Sequence, residues 1–321
     1  MQREPFDTER EAGAYADPAF RQERRAVLYE LLGDLPATRG HQVTVVEQRT
    51  EEHGDYVVER STLDLNGVEP VPAVLLKPAK SPAIALPLVI YNHAHWDDYE
   101  RGKEEAVVGR REMQMPPYGV ALARAGYAVL SIDQWGFGGR RGKTETAIFK
   151  EMLWKGQVLW GAMVYDGLRL LDYAAGRSDI DHARVGVLGM SMGATMSWWM
   201  AALDERVKAC IDLCCLTDFQ SLIDENGLDL HGVYYYAPRL LQHFTTSHIK
   251  ALIAPRPHLS LAGNNDPLTP ARGLDVIDGA LKAVYRAAGA APAWQLWRYD
   301  AGHRETPEMR LQVMRFLEQW L

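Results

Sequence analysis

The chain has 321 residues, of which 47% are hydrophobic, and its formal net charge is −7 at pH 7. Acidic and basic residues are interspersed, so the basic stripe that nucleic-acid binding needs is missing and no nucleic-acid partner is expected. No apolar run approaches the length of about eighteen residues that a membrane span requires, and we expect no membrane association.

The N-terminal segment is charged and leads into no apolar stretch, so no secretory signal is predicted and we expect a cytoplasmic protein. Residues 1–40 carry apolar side chains at helical spacing, which predicts an N-terminal helical extension packed on the main body. Residues 42–77 show β-type runs separated by turn signals at His53-Gly54 and Asn66-Gly67. This pattern predicts antiparallel strands at a sheet edge.

From residue 87 onward, apolar runs rich in β-branched residues alternate with helical patterns. Runs of near-continuous hydrophobicity are typical of strands buried on both faces, as in a parallel sheet. We therefore predict an α/β fold with a doubly wound, mostly parallel sheet and helices on both faces. The predicted strands are 87–91, 127–132, 185–188, 207–213, 258–262 and 293–297, and the predicted helices are 116–126, 155–176, 192–203, 270–288 and 306–320.

Two stretches, about 97–115 and 216–254, interrupt this alternation. Both follow strands at the sheet edge where doubly wound folds place their ligands. We expect them to form pocket walls or a small lid on a single domain that covers residues 1–321. The three cysteines cluster in one short segment, which favours buried, reduced thiols over a disulfide framework; they are Cys210, Cys214 and Cys215.

The pentapeptide Gly-Met-Ser-Met-Gly at 189–193 directly follows the predicted strand 185–188 and opens a predicted helix. The string alone arises often by chance, but this strand–turn–helix context is typical of a nucleophile elbow. The flanking glycines are needed because the turn is too tight for side chains there. We predict that Ser191 is a nucleophile and that the backbone N–H of Met192 is one oxyanion donor.

A serine nucleophile needs a base and a carboxylate that orients it, and for an elbow of this kind the chain order is Ser, Asp or Glu, then His. His303 alone lies beyond the last predicted strand, whereas His258 begins a strand and is interpreted as structural. Asp266 follows a buried strand and is the predicted acid, although an Asp before Pro is more often a turn residue. Asp218 is the chief rival, and Asp300 is close to His303 along the chain.

The loop after the strand 87–91 allows a second interpretation. Its His-x-His-x-Asp spacing resembles the zinc-ligand string of metallo-β-lactamase-type hydrolases, with Asp98 where the final His should stand. His93, His95 and Asp97 could hold zinc, which gives a metallohydrolase as a minor alternative. Because the last ligand is missing, we predict no metal.

Residues from about 70 to 321 resemble the dienelactone-hydrolase and acetyl-xylan-esterase-like branch of the α/β-hydrolase superfamily. The resemblance is carried by the strings around the elbow and by the Gly-x-x-Asp-Pro and Gly-His strings at Asp266 and His303; the others are 118–130, 178–186, 203–209 and 254–257. Dienelactone hydrolases use a cysteine nucleophile, whereas this chain has Ser191 at the elbow. The resemblance implies a cofactor-independent hydrolase of short acyl esters. The substrate class rests on analogy between folds alone.

By alignment with that superfamily, the loop at His93 supplies the second oxyanion donor. The resemblance implies the backbone N–H of His95, with Ala94 or Trp96 as less favoured donors. Aromatic and histidine side chains in the loops after the strands are the predicted pocket residues, although plain packing is the alternative for each; they are His93, Trp96, Trp135, Phe137, Tyr234 and Tyr235.

The sequence therefore predicts a serine-dependent carboxylic-ester hydrolase that forms an acyl-enzyme on a small ester substrate and needs no cofactor. An acyltransferase, or a hydrolase of amides, peptides or thioesters, would use the same triad. A non-catalytic binding protein is disfavoured because Ser191, Asp266 and His303 are all present. The sequence is compatible with a homo-oligomer.

Overall fold

A nine-stranded sheet forms the centre of the protein in a computed structural model, which describes residues 5–8, 10–35, 41–80, 85–96 and 98–321. Its strands are β1 (Thr44–Glu52), β2 (Tyr56–Asp64), β3 (Val71–Pro78), β4 (Leu86–Asn92), β5 (Ala128–Ile132), β6 (Ile180–Met190), β7 (Ala209–Leu213), β8 (His258–Gly263) and β9 (Trp294–Tyr299).

The strand order is β1-β2-β3-β5-β4-β6-β7-β8-β9. The first three strands pair antiparallel with each other, and β3 pairs antiparallel with β5. All remaining pairs, from β5–β4 to β8–β9, are parallel. The predicted mostly parallel α/β sheet with an antiparallel N-terminal edge is confirmed.

Helices cover both faces of the sheet, as predicted, and two apolar clusters fill the space beneath them. The helices are α1 (Glu11–Ala16), α2 (Pro18–Glu30), α3 (Glu105–Val108), α4 (Tyr118–Arg124), α5 (Glu145–Trp154), α6 (Leu159–Ala175), α7 (Met192–Leu203), α8 (Phe219–Asp224), α9 (Leu240–His243), α10 (Thr246–Ala251), α11 (Ala271–Ala287) and α12 (Pro307–Trp320). None of the helices in these described ranges is long and apolar enough to cross a membrane.

Local sequence explains where several helices begin. Helix α12 starts as predicted, with Pro307 in its first turn and the Thr306 hydroxyl accepting the N–H of Met309 at 3.3 Å. The helix predicted from residue 155 begins only at Leu159, because Gly156 has φ +72° and the chain turns there. That positive φ lies in the region that glycine enters at little cost and that ends a helix.

The two interruptions of the alternation become short helices beside the sheet edge. Residues 97–115 contain α3 and a 3₁₀ turn at Gly102–Glu104, and residues 216–254 contain α8 to α10 with 3₁₀ turns at Leu228–Leu230 and Val233–Tyr235. Helix α2 is tied to the main body through Arg25, whose guanidinium donates to the carbonyls of Ala202 and Leu252 at 2.9 Å.

Candidate active site

Ser191 occupies the turn between β6 and α7 with φ +57° and ψ −121°. A non-glycine residue in this region is strained, and such strain clusters at functional sites. The neighbouring glycines are required by close backbone contacts. A Cβ atom on Gly193 would lie 1.9 Å from the Asn92 carbonyl oxygen, and one on Gly189 would lie 2.7 Å from the same atom. The elbow therefore packs directly on the end of β4.

The backbone at the elbow leaves a donor near the serine. The N–H of Ser191 donates to the Leu213 carbonyl at 2.9 Å, which fixes the turn against the end of β7. Met192 is the first residue of α7. The first N–H groups of a helix have no carbonyl partner within it and carry the positive end of its dipole. The Met192 N–H is thus suited to stabilise negative charge beside Ser191.

His303 and Asp266 form a buried pair at the same edge of the sheet. The imidazole Nδ1 lies 2.7 Å from Asp266 Oδ2, and the two side chains are only 6% and 0% exposed. Because an ionised carboxylate only accepts, Nδ1 carries the proton and Nε2 carries the lone pair. His303 Nε2 is buried and has no hydrogen-bond partner among the described residues.

The Asp266 carboxylate is held from its far side by the loop that follows it. It accepts the N–H of Leu268 at 2.9 Å and the hydroxyl of Thr269 at 3.5 Å. The helix predicted over 270–288 begins at Ala271, and no described side chain caps its N-terminus because the Thr269 hydroxyl donates to the carboxylate. These bonds fix the orientation of the acid.

The two rival acids are engaged elsewhere. Asp218 caps α8 and accepts both the N–H and the hydroxyl of Ser221, at 2.9 and 2.8 Å. Asp300 is exposed and accepts the amide of Asn265 at 2.6 Å. Neither carboxylate makes a recorded contact with the His303 ring, within the part of the chain that the structure describes.

A cysteine lies against this pair. Cys214 Sγ lies within 4.8 Å of a carboxylate oxygen of Asp266 and of a ring nitrogen of His303. The thiol donates to the Arg304 carbonyl at 3.5 Å. Burial raises the pKa of its thiol, with a smaller contribution from the nearby Asp266 charge. The thiol is therefore held in its protonated, weakly nucleophilic form.

The loop after β4 faces the elbow, and its first residues are fixed by hydrogen bonds. His93 is fully buried, accepts the N–H of Gln134 on Nε2 at 3.1 Å and contacts the Ala94 carbonyl through Nδ1 at 3.0 Å. Burial lowers the pKa of His93 despite the nearby Glu105 charge, which keeps the ring neutral. The Ala94 N–H donates to the Glu105 carboxylate at 3.1 Å, so it is not available to an oxyanion. Of the donors weighed in this loop, the N–H of His95 and that of Trp96 are left.

The His95 ring is held by a glutamate that the sequence analysis did not identify. His95 Nε2 lies 2.7 Å from Glu145 Oε2, and its ring stacks on Tyr234 with the ring centroids 5.2 Å apart. Both ring nitrogens of His93 and the Nε2 of His95 are thus engaged by protein partners. Asp97, the third expected ligand, lies outside the described residues. The groupings of possible metal ligands found in the described ranges include neither histidine.

A cleft of about 440 Å³ opens over Ser191. Both irregular stretches contribute to its walls, through Tyr99 from the first and 229–234 from the second. Of the predicted pocket residues, Trp96 and Tyr234 line the cleft.

The other predicted pocket residues lie elsewhere. His93 and Phe137 are fully buried, because they pack against each other behind the loop with ring centroids 5.0 Å apart. Trp135 donates to Asp166 at 2.8 Å and lines a different cavity, and Tyr235 lines an apolar groove on the other side of its turn.

The cleft residues that the sequence analysis did not identify include Glu145, His231 and Tyr99. Glu145 begins α5, a helix that was not predicted, and no sequence motif connects it to the elbow at Ser191. His231 was not chosen as the base because it lies before the last predicted strand, and its Nε2 donates to the Leu268 carbonyl at 3.1 Å. No motif marks these residues, because only the tertiary fold brings them to the cleft.

Comparisons with known proteins show what the chain is similar to. A family model described as X-Pro dipeptidyl-peptidase (S15 family) matches residues 66–254. The protein named "Putative hydrolase YtaP" of Bacillus subtilis (strain 168) is 50% identical over 302 residues, which cover 94% of this chain and 100% of that protein. The similarity therefore extends over nearly the whole chain.

Two solved structures share the fold. One is described as a "putative acetyl xylan esterase" from Bacteroides fragilis NCTC 9343, with a TM-score of 0.72, 15% identity and coverage of 92% of this chain and 78% of that one. The other is the glucuronoyl esterase from Solibacter usitatus, with a TM-score of 0.69, 15% identity and coverage of 94% and 92%. At this identity the comparison establishes the fold alone, and it is the fold expected from the sequence.

Proposed function

Because the chain belongs to the X-Pro dipeptidyl-peptidase (S15) family of α/β-hydrolase-type serine hydrolases, we propose that it is a carboxylic-ester hydrolase with Ser191 as nucleophile. The observation that carries this proposal is the 2.7 Å contact between His303 Nδ1 and Asp266 Oδ2 at the edge where the Ser191 cleft opens. This contact selects the tautomer whose Nε2 can accept a serine proton.

In the proposed reaction, the Ser191 hydroxyl attacks the ester carbonyl while its proton passes to His303 Nε2. The N–H groups of Met192 and His95 hold the oxyanion, and the imidazolium then returns the proton to the leaving alcohol. A water molecule, deprotonated by His303, attacks the acyl-enzyme and releases the acid. Asp266 keeps the ring in place and stabilises its charged form throughout.

The cleft supports a small, uncharged or cationic ester. Its volume of about 440 Å³ lies within the range of about 300 to 1,000 Å³ that is common for small-molecule sites. Its walls combine aromatic faces with the carboxylates Glu145 and Asp229 and include no lysine or arginine among the described residues. The fold neighbours named as acetyl xylan and glucuronoyl esterases support a short acyl group or a sugar ester.

A second candidate is the cleavage of a peptide bond after an X-Pro dipeptide, the activity for which the family is named. The observation that favours it is Asp229 in the cleft wall, since a carboxylate can hold a free amino terminus. Both reactions pass through the same tetrahedral intermediate, and an acyltransferase would differ only in using an alcohol instead of water.

The test measures wild type and Ser191→Ala with a p-nitrophenyl acyl series and with Gly-Pro-p-nitroanilide, with and without EDTA. We expect hydrolysis of the short acyl esters and a loss of about 10⁴-fold or more in Ser191→Ala. A fluorophosphonate probe should label the wild type but not this variant. The exposed Ser178→Ala serves as the matched control and should keep full activity and labelling.

Different outcomes would redirect the assignment. Faster turnover of the anilide than of every ester would favour the peptidase. Activity that survives Ser191→Ala but disappears with EDTA would overturn the serine mechanism and favour a metal at the His93–His95 loop.

A further inference from the structure

The indole ring of Trp96 covers one face of the His303 imidazole. The indole and imidazole rings are stacked, with centroids 4.9 Å apart and an interplanar angle of 15°. Trp96 is 38% exposed and lines the cleft together with Ser191. A single aromatic side chain therefore lies between the solvent, the nucleophile's cleft and the proposed base.

The backbone imposes this position. Trp96 has φ +49°, a left-handed conformation that is rare for a bulky side chain. The turn is closed by the N–H of Asp98, which donates to the His95 carbonyl at 3.1 Å, and the preceding ring of His95 is held by Glu145 at 2.7 Å. Strained conformations persist where the surroundings over-determine them, and they concentrate at functional sites.

The stack favours one charge state of the imidazole over the other. The face of an indole ring carries negative electrostatic potential and attracts a cation placed over it. In the proposed mechanism His303 is neutral before the attack and positively charged afterwards, when the Ser191 O–H proton has moved to Nε2 and Oγ has bonded to the carbonyl carbon. An interaction that strengthens along this path lowers the barrier.

We propose that Trp96 is a positioning residue for the general base: its indole ring stacks on His303 and stabilises the imidazolium form of that residue. The proposal rests on the function proposed above, and it adds a role for a residue of the oxyanion loop. The same short loop would then stabilise both charges that develop in the reaction: the His95 N–H would stabilise the oxyanion, and the Trp96 ring would stabilise the imidazolium cation of His303.

Other groups also face His303, and the test must leave them unchanged. Asp266 bonds its Nδ1, and Cys214 Sγ lies within 4.8 Å of the pair. His231 is close enough for the His303 charge to contribute to lowering its pKa, although burial is the larger cause. Within the part of the chain that the structure describes, none of the three forms a ring contact or a hydrogen bond with the indole of Trp96, so substitution of Trp96 leaves them in place.

The test compares Trp96→Leu and Trp96→Phe with wild type. Leucine keeps an apolar cover of the imidazole and the same unbranched Cβ but removes the aromatic face, whereas phenylalanine retains it. Trp154→Leu is the matched control, because Trp154 is 93% exposed at the end of α5 and outside the cleft. Two readouts are used: the pH profile of kcat/KM for p-nitrophenyl acetate, and the NMR titration of the ¹⁵N-labelled imidazole, assigned with His303→Gln.

In Trp96→Leu we expect the titration midpoint and the acidic limb of kcat/KM to move to lower pH by roughly half to one unit, with a plateau about 3- to 10-fold lower. Trp96→Phe should recover most of both effects, and Trp154→Leu should show neither. A rate loss with no shift of the midpoint, or a shift to higher pH as removal of a simple cover would give, overturns the proposal. Because the NMR titration needs no substrate, it decides this point even if the protein hydrolyses no ester.

Discussion

Two histidine–aspartate pairs lie on adjacent strands of the sheet, with β8 common to both, and they differ in what surrounds them. The edge pair, Asp266 with His303, is at the carboxyl end of β8 and β9, with an N···O distance of 2.7 Å. The buried pair, Asp212 with His258, lies within β7 and β8, with an N···O distance of 2.6 Å. Each has a cysteine close by and a second imidazole nitrogen that is buried without a hydrogen-bond partner among the described residues.

The buried pair is neutralised where it stands. Lys250 Nζ lies 3.1 Å from Asp212 Oδ2, and the Ser260 hydroxyl donates to Oδ1 at 2.6 Å. Burial alone would raise the pKa of Asp212, but Lys250, His258 and Ser260 together lower it to about 2. Burial lowers the pKa of His258, so its Nε2–H donates to the carboxylate as a neutral ring. The carboxylate's charge is therefore balanced by the lysine and not by the histidine.

Among the described residues no lysine or arginine forms an ion pair with Asp266, and the edge pair adjoins a cleft. Its carboxylate is held by the Leu268 N–H and the Thr269 hydroxyl, both uncharged. An uncompensated carboxylate favours a positive charge on the adjacent imidazole at the moment a proton arrives. The same residue types can thus form a structural element in one place and a proposed acid–base pair at the neighbouring strand ends. Their position relative to the strand ends, and the presence of a lysine, distinguish the two.

Asp266→Asn gives the largest expected effect. The amide can still be held by Leu268 and Thr269, but it no longer stabilises the imidazolium or selects its tautomer, so we expect kcat to fall by about 10⁴-fold. The melting temperature should stay within a few degrees of the wild type. Kinetics with p-nitrophenyl acetate and a thermal melt measure both, and Asp300→Asn is the matched control that should keep activity. Full activity in Asp266→Asn would contradict the assignment of the edge pair.

Asp212→Asn should do the opposite. It leaves the fully buried Lys250 ammonium without its counter-charge, and removal of one partner of a buried ion pair costs about 3 to 5 kcal/mol. We expect a loss of that size in the free energy of unfolding measured by urea titration, with kcat per folded molecule unchanged. Adding Lys250→Met to Asp212→Asn should restore part of the stability. A large loss of kcat in the folded variant would mean that the buried pair acts on the cleft.

The sequence predicted the edge pair from chain order and strand position alone. Asp266 and His303 each follow an apolar run of β-type, and parallel strands bring their carboxyl ends to one edge, so their approach follows from the fold. His258 was interpreted as structural because it begins a strand, and the structure places it in the interior. A strand pattern reports depth in the sheet as well as secondary structure, and for that reason the approach of Asp266 to His303 and the interior position of His258 could both be expected.

The cleft walls were harder to predict, for a physical reason. Glu145 and His231 come from segments of short helices and 3₁₀ turns, where no hydrophobic period fixes the direction of a side chain. Trp135 and Phe137 follow a strand at the correct edge, as predicted, but the chain turns inward there and Phe137 is fully buried. Aromatic side chains in loops satisfy packing as readily as binding, and only tertiary contacts decide between them.

The smallest expected effect concerns the dependence of stability on pH. Burial lowers the pKa of His258 in the folded protein. Below pH 6.5 this histidine therefore binds a proton in the unfolded chain while it is still neutral in the folded one. The stability that this group contributes is complete above pH 6.5 and is lost as pH falls below it, at up to about 1.4 kcal/mol per pH unit. Asp212, with its pKa of about 2, stays ionised over that range and adds nothing to the dependence of stability on pH.

Urea titrations between pH 5 and pH 8 should show a shallower slope of unfolding free energy against pH in His258→Gln than in wild type. His182→Gln, at an exposed position, should keep the wild-type slope. An unchanged slope in His258→Gln would mean that the ring is charged in the folded state, and the distinction between the two pairs would then rest on Lys250 and access to the cleft alone.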